Sequence, residues 1–248
     1  MAVVYSRPRS IEDVPFHYCP GCGHSIVHKL IGECIDELAI LENTVLVAPV
    51  GCAVNAYNYF KCDTCEAAHG RAAAVATGLK RSLPDNIVIS YQGDGDLASI
   101  GMAETIHAAN RGEKITIVFI NNTIYGMTSG QMAPTTLIGQ KTTTSTKGRN
   151  DSMGFPIDMC KLISTLEAPV YVVRSKVTSA ASALKTKKHI KRALTLQKEG
   201  KGYTFVEILS NCNTNWKMTP LDSNKWIDST VEKVFPLGVF VDKFGEQK

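Results

Sequence analysis

Five short runs dominate what this chain can fold into: TVLVAPV from Thr44, NIVISY from Asn86, ITIVFI from Ile115, APVYVV from Ala168 and YTFVEIL from Tyr203. Each is rich in β-branched residues and too uniformly apolar for a strand wet on one side, so each reads as a buried strand. Helical patterns lie between them. Ile26, Val27, Leu30, Ile31, Cys34, Ile35 and Leu38 recur at helical spacing before the first strand. Arg71 to Leu83 is helical and stops at Pro84, LASIGMAETIHAAN stops at Gly112, and SAASALKTKKHIKRALTLQKEG precedes the last strand. A short helix near Trp226 closes the chain. Residues 121–155, rich in Gly, Thr and Ser, show little periodicity and read as a functional loop. Strands alternating with helices predict an α/β fold, a mostly parallel sheet with helices on both faces. With 248 residues and 44% hydrophobic content the chain can bury one substantial core, and a single domain over 1–248 is expected.

The unusual residues fall at the carboxyl ends of these strands. Gly51-Cys52 follows the first, Gly93-Asp94-Gly95-Asp96 the second, Asn121-Asn122 the third and Asn211-Cys212 the last. In an open parallel sheet those ends share one edge, where ligands bind. In Gly93 to Asp96, glycines let the backbone approach a phosphate while one carboxylate reaches the cation that bridges it. Magnesium suits this pattern, since it takes one or two protein carboxylates and completes its shell with phosphate and water. Asn122 and the carbonyl of Ile124 can add neutral oxygens. Alone, Gly-Asp-Gly is also an ordinary turn string. The strand and the paired asparagines that follow are what make it a site signal.

On GDG and NN the chain resembles the thiamine-diphosphate enzymes. More narrowly, CPGCGH, GCAVNAYNYF, HGRAAAVATGLKR, YQGDGDLASIGMAETIHAANRGEKI and NNTIYGMTSGQMAPTTLIGQKTTT resemble the β subunit of 2-oxoacid:ferredoxin oxidoreductases, from about Tyr18 to the final LGVF. The resemblance implies that Asp94, the Asn122 side chain and the Ile124 carbonyl hold magnesium. It places Gly93, Gly95 and Asp96, then Thr123, Ile124, Tyr125, Gly126 and Met127, around the diphosphate and thiazolium, with His24 and Cys52 close by. His69, Met127 and Thr128 are expected at the reacting centre.

The chain has eight cysteines. Cys19 and Cys22 form a CxxC before a helix, and Cys52 and Cys212 follow strands that open on the same edge; four thiolates suffice for a [4Fe-4S] cluster. The family resemblance picks the same four, so the N-terminal CxxC segment and a C-terminal extension are expected to build an iron–sulfur site. A rival exists, because Cys62 and Cys65 form a second CxxC and could join Cys19 and Cys22 around zinc. Cys34 and Cys160 occupy apolar helical positions and read as buried thiols. Arg71 faces either an anion or an ion-pair partner, KTKKHIKR either an acidic carrier or solvent, His107 reads as structural, and Trp216 and Trp226 read as packing residues.

Together these features imply oxidative decarboxylation of a 2-oxoacid to acyl-CoA, with electrons leaving singly through the cluster to ferredoxin. Thiamine activation needs a carboxylate on the aminopyrimidine, and no Glu here sits in such a motif. The resemblance assigns it, with much of the substrate site, to a partner α subunit, and further clusters to γ and ferredoxin-like δ subunits. Met127 suits an aliphatic tail, so 2-oxoisovalerate is expected ahead of 2-oxoglutarate and pyruvate. A non-oxidative thiamine-dependent decarboxylase subunit and a zinc-stabilised, non-catalytic subunit are the other classes. The small basic excess, 27 Lys and Arg against 23 Asp and Glu, gives no reason to expect nucleic acid. No apolar run suits a membrane, and a cytoplasmic protein with reduced thiols is expected.

Overall fold

The structure, a computed structural model, describes residues 6–245. In chain order the elements are α1 (His24–Glu37), β1 (Thr44–Ala48), β2 (Asp63–Glu66), α2 (Ala72–Ser82), β3 (Ile87–Gly93), α3 (Met102–Asn110), β4 (Thr116–Asn121), β5 (Ile124–Tyr125), β6 (Gln131–Met132), α4 (Met159–Ser164), β7 (Tyr171–Lys176), α5 (Ala180–Lys198), β8 (Thr204–Leu209), α6 (Asn213–Trp216), α7 (Pro220–Trp226), α8 (Glu232–Val234) and β9 (Gly238–Asp242). Seven strands form one sheet in the order β2-β1-β3-β4-β8-β7-β9, parallel except for β9. Every residue of β1, β4 and β8 is buried, as their largely apolar runs require; Asn121 and Glu207, polar residues near their ends, bond each other at 2.8 Å.

Helices cover both faces, giving the expected α/β architecture. On one side α1 and α5 pack on the sheet with Ile31, Ile35, Leu46, Ile89, Val206 and Leu194 in a single cluster. On the other, α2, α3 and α4 close over Ala73, Val88, Ile117, Phe119 and Phe205. Helix α1 buries Val27, Leu30, Ile31, Cys34 and Ile35 at the spacing the sequence shows. Helix α5 begins in a capping box between Ser179 and Ser182.

Three features depart from the sequence expectation. Strand β2 carries the polar string DTCE, half exposed, and pairs only through its backbone with β1, so it has no apolar pattern to read. Strand β9 adds antiparallel to β7 across a register shift, capping an edge that would otherwise be open. The helix expected over LASIGMAETIHAAN is broken: Asp96–Ile100 is a π turn, Gly101 interrupts, and α3 follows.

Candidate cofactor and thiol site

Strands β1, β3, β4 and β8 are consecutive neighbours, and the register sets Gly93 beside Ile120 and Asn121 beside Leu209. Their carboxyl ends therefore rise to one level, which brings the four sequence motifs together. Two cavities open there. One is lined by Gly51, His69, Gly93–Asp96, Ile124, Tyr125 and Thr128. The other, about 260 Å³, is lined by His17, Tyr18, Cys19, Cys22, Cys212 and Asn213–Asn215. They share His24, Cys52, Asn122, Gly126 and Met127 as a common wall.

Asp94 lies one residue past β3, 2% exposed. Gly95 N–H donates to its Oδ1 at 2.9 Å and the Thr135 hydroxyl to its Oδ2 at 2.5 Å. Despite these donors, and the nearby N–H groups of Thr123 and Ile124, burial pushes the Asp94 carboxyl up to about 7. A buried carboxylate served only by dipoles is short of positive charge, which a divalent cation would supply. The NN turn puts Asn122 and Ile124 on the same wall. Asn121 Oδ1 accepts from Thr123 N–H at 3.2 Å, Asn122 Oδ1 accepts from Ile124 N–H at 3.3 Å, and Thr123 sits at φ 60°. These residues fit magnesium with one acidic ligand.

Two expected cofactor contacts are placed differently. Thr123, expected beside the diphosphate, is fully buried behind the turn, where its hydroxyl oxygen accepts from Gln140, and it is not on the cavity wall. Asp96 lines the cavity, but its side chain is 1% exposed, lies 2.5 Å from His69 Nδ1 and already accepts from Gly70 N–H at 2.7 Å and Gln92 Nε2 at 2.7 Å. An anion so engaged, and of the same sign as a diphosphate, holds His69 rather than the cofactor. Thr135 and Gln92 carry no motif signal; their roles exist only once the loop and β3 are folded.

Cys19, Cys22, Cys52 and Cys212 line the second cavity as free thiols. A Cβ added at Gly126 would stand 3.0 Å from Cys52 Sγ and 3.4 Å from Cys212 Sγ, so the absence of a side chain there keeps the space between them open. Asn215 Nδ2 donates to Cys212 Sγ at 3.3 Å and Nδ2 also donates to the Gly126 carbonyl at 2.8 Å, tying the thiol to the same loop. Burial first, and then the other thiols, pushes Cys52 up to about 12; burial likewise takes Cys22 to about 11. Binding iron here would release those protons. Among the described residues no three His, Cys, Asp or Glu side chains converge on a single ion. The four thiols line one cavity rather than a single point. The rival set does not assemble: Cys62 packs in the core beside α1, and Cys65 lies on the edge strand β2.

His24 is buried on the shared wall, its Nδ1 2.7 Å from the Tyr91 hydroxyl and its ring stacked on Tyr18 at 4.9 Å. Burial lowers it to about 4, so it stands neutral. Met127 is 57% exposed at the junction of the cavities, and Thr128 bonds Gln131. Arg71 pairs with Glu104 and donates to the Ile100 carbonyl at 3.1 Å, the ion-pair alternative. In the basic helix Lys187 is paired to Glu33 and Glu37, Lys191 to Glu37 and Arg192 to Asp242. Trp216 and Trp226 pack edge to face at 4.5 Å, and Cys34 and Cys160 are buried. No helix among the described residues is long and apolar enough to cross a membrane.

The chain is similar to known proteins. Residues 45–208 match the family of thiamine pyrophosphate enzymes, C-terminal TPP binding domain. The ketoisovalerate oxidoreductase subunit VorA of Methanothermobacter marburgensis is 51% identical over 244 residues, covering 98% of this chain and 51% of the relative. The chain thus spans about half the length of that relative. The 2-oxoglutarate synthase subunit KorB of Methanocaldococcus jannaschii is 37% identical over 222 residues, covering 87% of this chain and 78% of the relative. A solved 2-oxoglutarate:ferredoxin oxidoreductase from Magnetococcus marinus, with 2-oxoglutarate, coenzyme A and succinyl-CoA bound, superposes with a TM-score of 0.79 at 25% identity, over 98% of this chain and 87% of that one. The chain belongs to the thiamine-pyrophosphate-binding subunits of the 2-oxoacid:ferredoxin oxidoreductases, the family of VorA and KorB.

Proposed function

We propose that this chain is the thiamine-diphosphate-binding subunit of a cytoplasmic enzyme that decarboxylates a 2-oxoacid oxidatively, 2-oxoisovalerate first, forming acyl-CoA and passing electrons to ferredoxin. One observation carries the reading: the acid-and-amide cavity and the four-thiol cavity share a wall, so a diphosphate cofactor and a redox cluster would be held side by side. Asp94, the Asn122 side chain and the Ile124 carbonyl would hold magnesium, and Cys19, Cys22, Cys52 and Cys212 a [4Fe-4S] cluster. When bound, the thiazolium serves as the electron sink for decarboxylation and the cluster removes electrons one at a time. Gly93, Gly95, Tyr125 and Gly126 shape the walls, and Met127 offers an apolar thioether to the substrate tail.

The first cavity measures about 100 Å³. That is short of the roughly 300–1,000 Å³ of an enclosing ligand site, so a second surface must complete it. An α subunit supplying the activating Glu and the rest of the pocket fits that need, with γ and δ subunits conducting electrons onward. The test is anaerobic purification of the assembled complex, iron, sulfide and zinc analysis, and initial rates on 2-oxoisovalerate, 2-oxoglutarate and pyruvate. Iron with sulfide and the fastest rate on the branched acid are expected. Zinc, or a colourless protein active without coenzyme A, would refute the redox assignment.

A further inference from the structure

We infer that His69 is the proton acceptor of this site, with Asp96 as its positioning residue. The inference rests on the function proposed above and specifies a step within it. Asp96 Oδ1 accepts from Gly70 N–H and lies 2.5 Å from His69 Nδ1, and Asp96 Oδ2 accepts from Gln92 Nε2. Each carboxylate oxygen of Asp96 already takes an N–H donor, and a third contact made in the same sense places the His69 proton on Nδ1. That tautomer leaves the lone pair on Nε2.

The geometry is rigid at the anchor and open at the tip. Asp96 is 1% exposed and His69 35%, on the wall of the cofactor cavity. Gln92, which donates to Asp96, is itself held by the Ser90 hydroxyl at 3.0 Å. Other wall groups are engaged: Asp94 by Gly95 and Thr135, His24 by Tyr91, Thr128 by Gln131. A buried carboxylate that fixes the tautomer and stabilises the imidazolium formed on proton uptake is the arrangement of a general base.

The proton it takes is that of the acyl-accepting thiol. The S–H bond breaks, the electron pair stays on sulfur, and the proton passes to Nε2. Asp96 keeps its hold on Nδ1, and the partly exposed ring returns the proton to solvent.

The test uses the complete complex loaded with thiamine diphosphate, together with ¹⁵N spectra of histidine-labelled protein. In the wild type the His69 proton is expected on Nδ1 with Nε2 bare, and Asp96→Asn is expected to move it to Nε2. For His69→Gln, the ratio of coenzyme A-dependent turnover to carbon dioxide release without coenzyme A should fall by about 100-fold or more. The double variant should be little worse than His69→Gln alone. A wild-type ring protonated on Nε2, or an unchanged ratio in His69→Gln, would overturn the inference. If the wild-type complex releases no carbon dioxide from any 2-oxoacid, the functional reading falls and the thiol step with it; the tautomer is then read independently.

Discussion

His28 shows how a single side chain can set the acid limit of this fold. It is fully buried inside a box of Phe16, Tyr18, Tyr59, Phe60 and Tyr91, with ring centroids 4.7 to 6.0 Å away. Its Nε2 lies 2.8 Å from the Tyr18 hydroxyl and its Nδ1 has no partner. Burial first, then His24 and His17, holds its pKa well below the ordinary value of 6.5. The unfolded chain therefore binds the extra proton first, and stability is lost as pH falls below about 6.5, by at most about 1.36 kcal/mol per pH unit. Asp94 slopes the other way: raised from 3.8 to about 7, it is destabilising as pH rises through that window in the cation-free protein. The difference curve isolates the histidine. Urea midpoints of wild type and His28→Phe, compared from pH 8 to pH 4, should converge and then cross as pH falls: the variant is about 1 kcal/mol weaker at pH 8 for the lost Tyr18 bond and the more stable of the two at pH 4. Parallel curves would refute the assignment. In the sequence His28 is only one more position on an apolar helix face, whereas Asp94, Asn122 and the four site cysteines stand out because their chemistry is unusual at strand ends. Residue type is legible in a sequence; a box closed by rings from three other segments is not.

At the scale of elements, the buried strands were readable because burial on both faces leaves mostly apolar residues, the buried Arg174 and Glu207 being paired with each other. Strands β2 and β9 were not, since an edge strand is held by backbone pairing and needs no side-chain pattern. The break between the π turn and α3 has a different origin. A Cβ at Gly101 would stand 2.6 Å from the Asp96 carbonyl oxygen and 2.8 Å from that of Gly70, both backbone atoms with no room to move. This crossing sets the segment of His69 against Asp96, which periodicity alone could not reveal. Gly101→Ala should lower stability by about 1–3 kcal/mol through overpacking. Gly78 is the control: a Cβ there meets nothing within 4 Å in the middle of α2, and Gly78→Ala should raise stability by about 0.5–1 kcal/mol. Thermal or urea melts of the two variants check both signs, and a harmless Gly101→Ala would show that the crossing is loose.

For the whole molecule, the decisive property is incompleteness at one edge. The acids on the first cavity's wall are Asp94 and Asp96; the first is held by Gly95 and Thr135 and is the cation ligand of the proposed function, and the second is engaged by His69, Gly70 and Gln92. Neither is free to bond an aminopyrimidine nitrogen, and Met127, the proposed contact for a substrate tail, stands 57% exposed. Matched relatives carry this unit either as most of a chain, as in KorB, or as about half of one, as in VorA. Both fit a unit that works against a second surface, whether fused or separate. Binding and activation should therefore separate. The isolated chain should bind thiamine diphosphate in a magnesium-dependent way, since Asp94, Asn122 and Ile124 are all its own, yet leave the thiazolium C2 proton exchanging with deuterium at the rate of the free cofactor. Adding the partner should accelerate that exchange by several orders of magnitude, and an isolated chain that already exchanges at the rate of the complex would show that the activating carboxylate lies on this polypeptide after all.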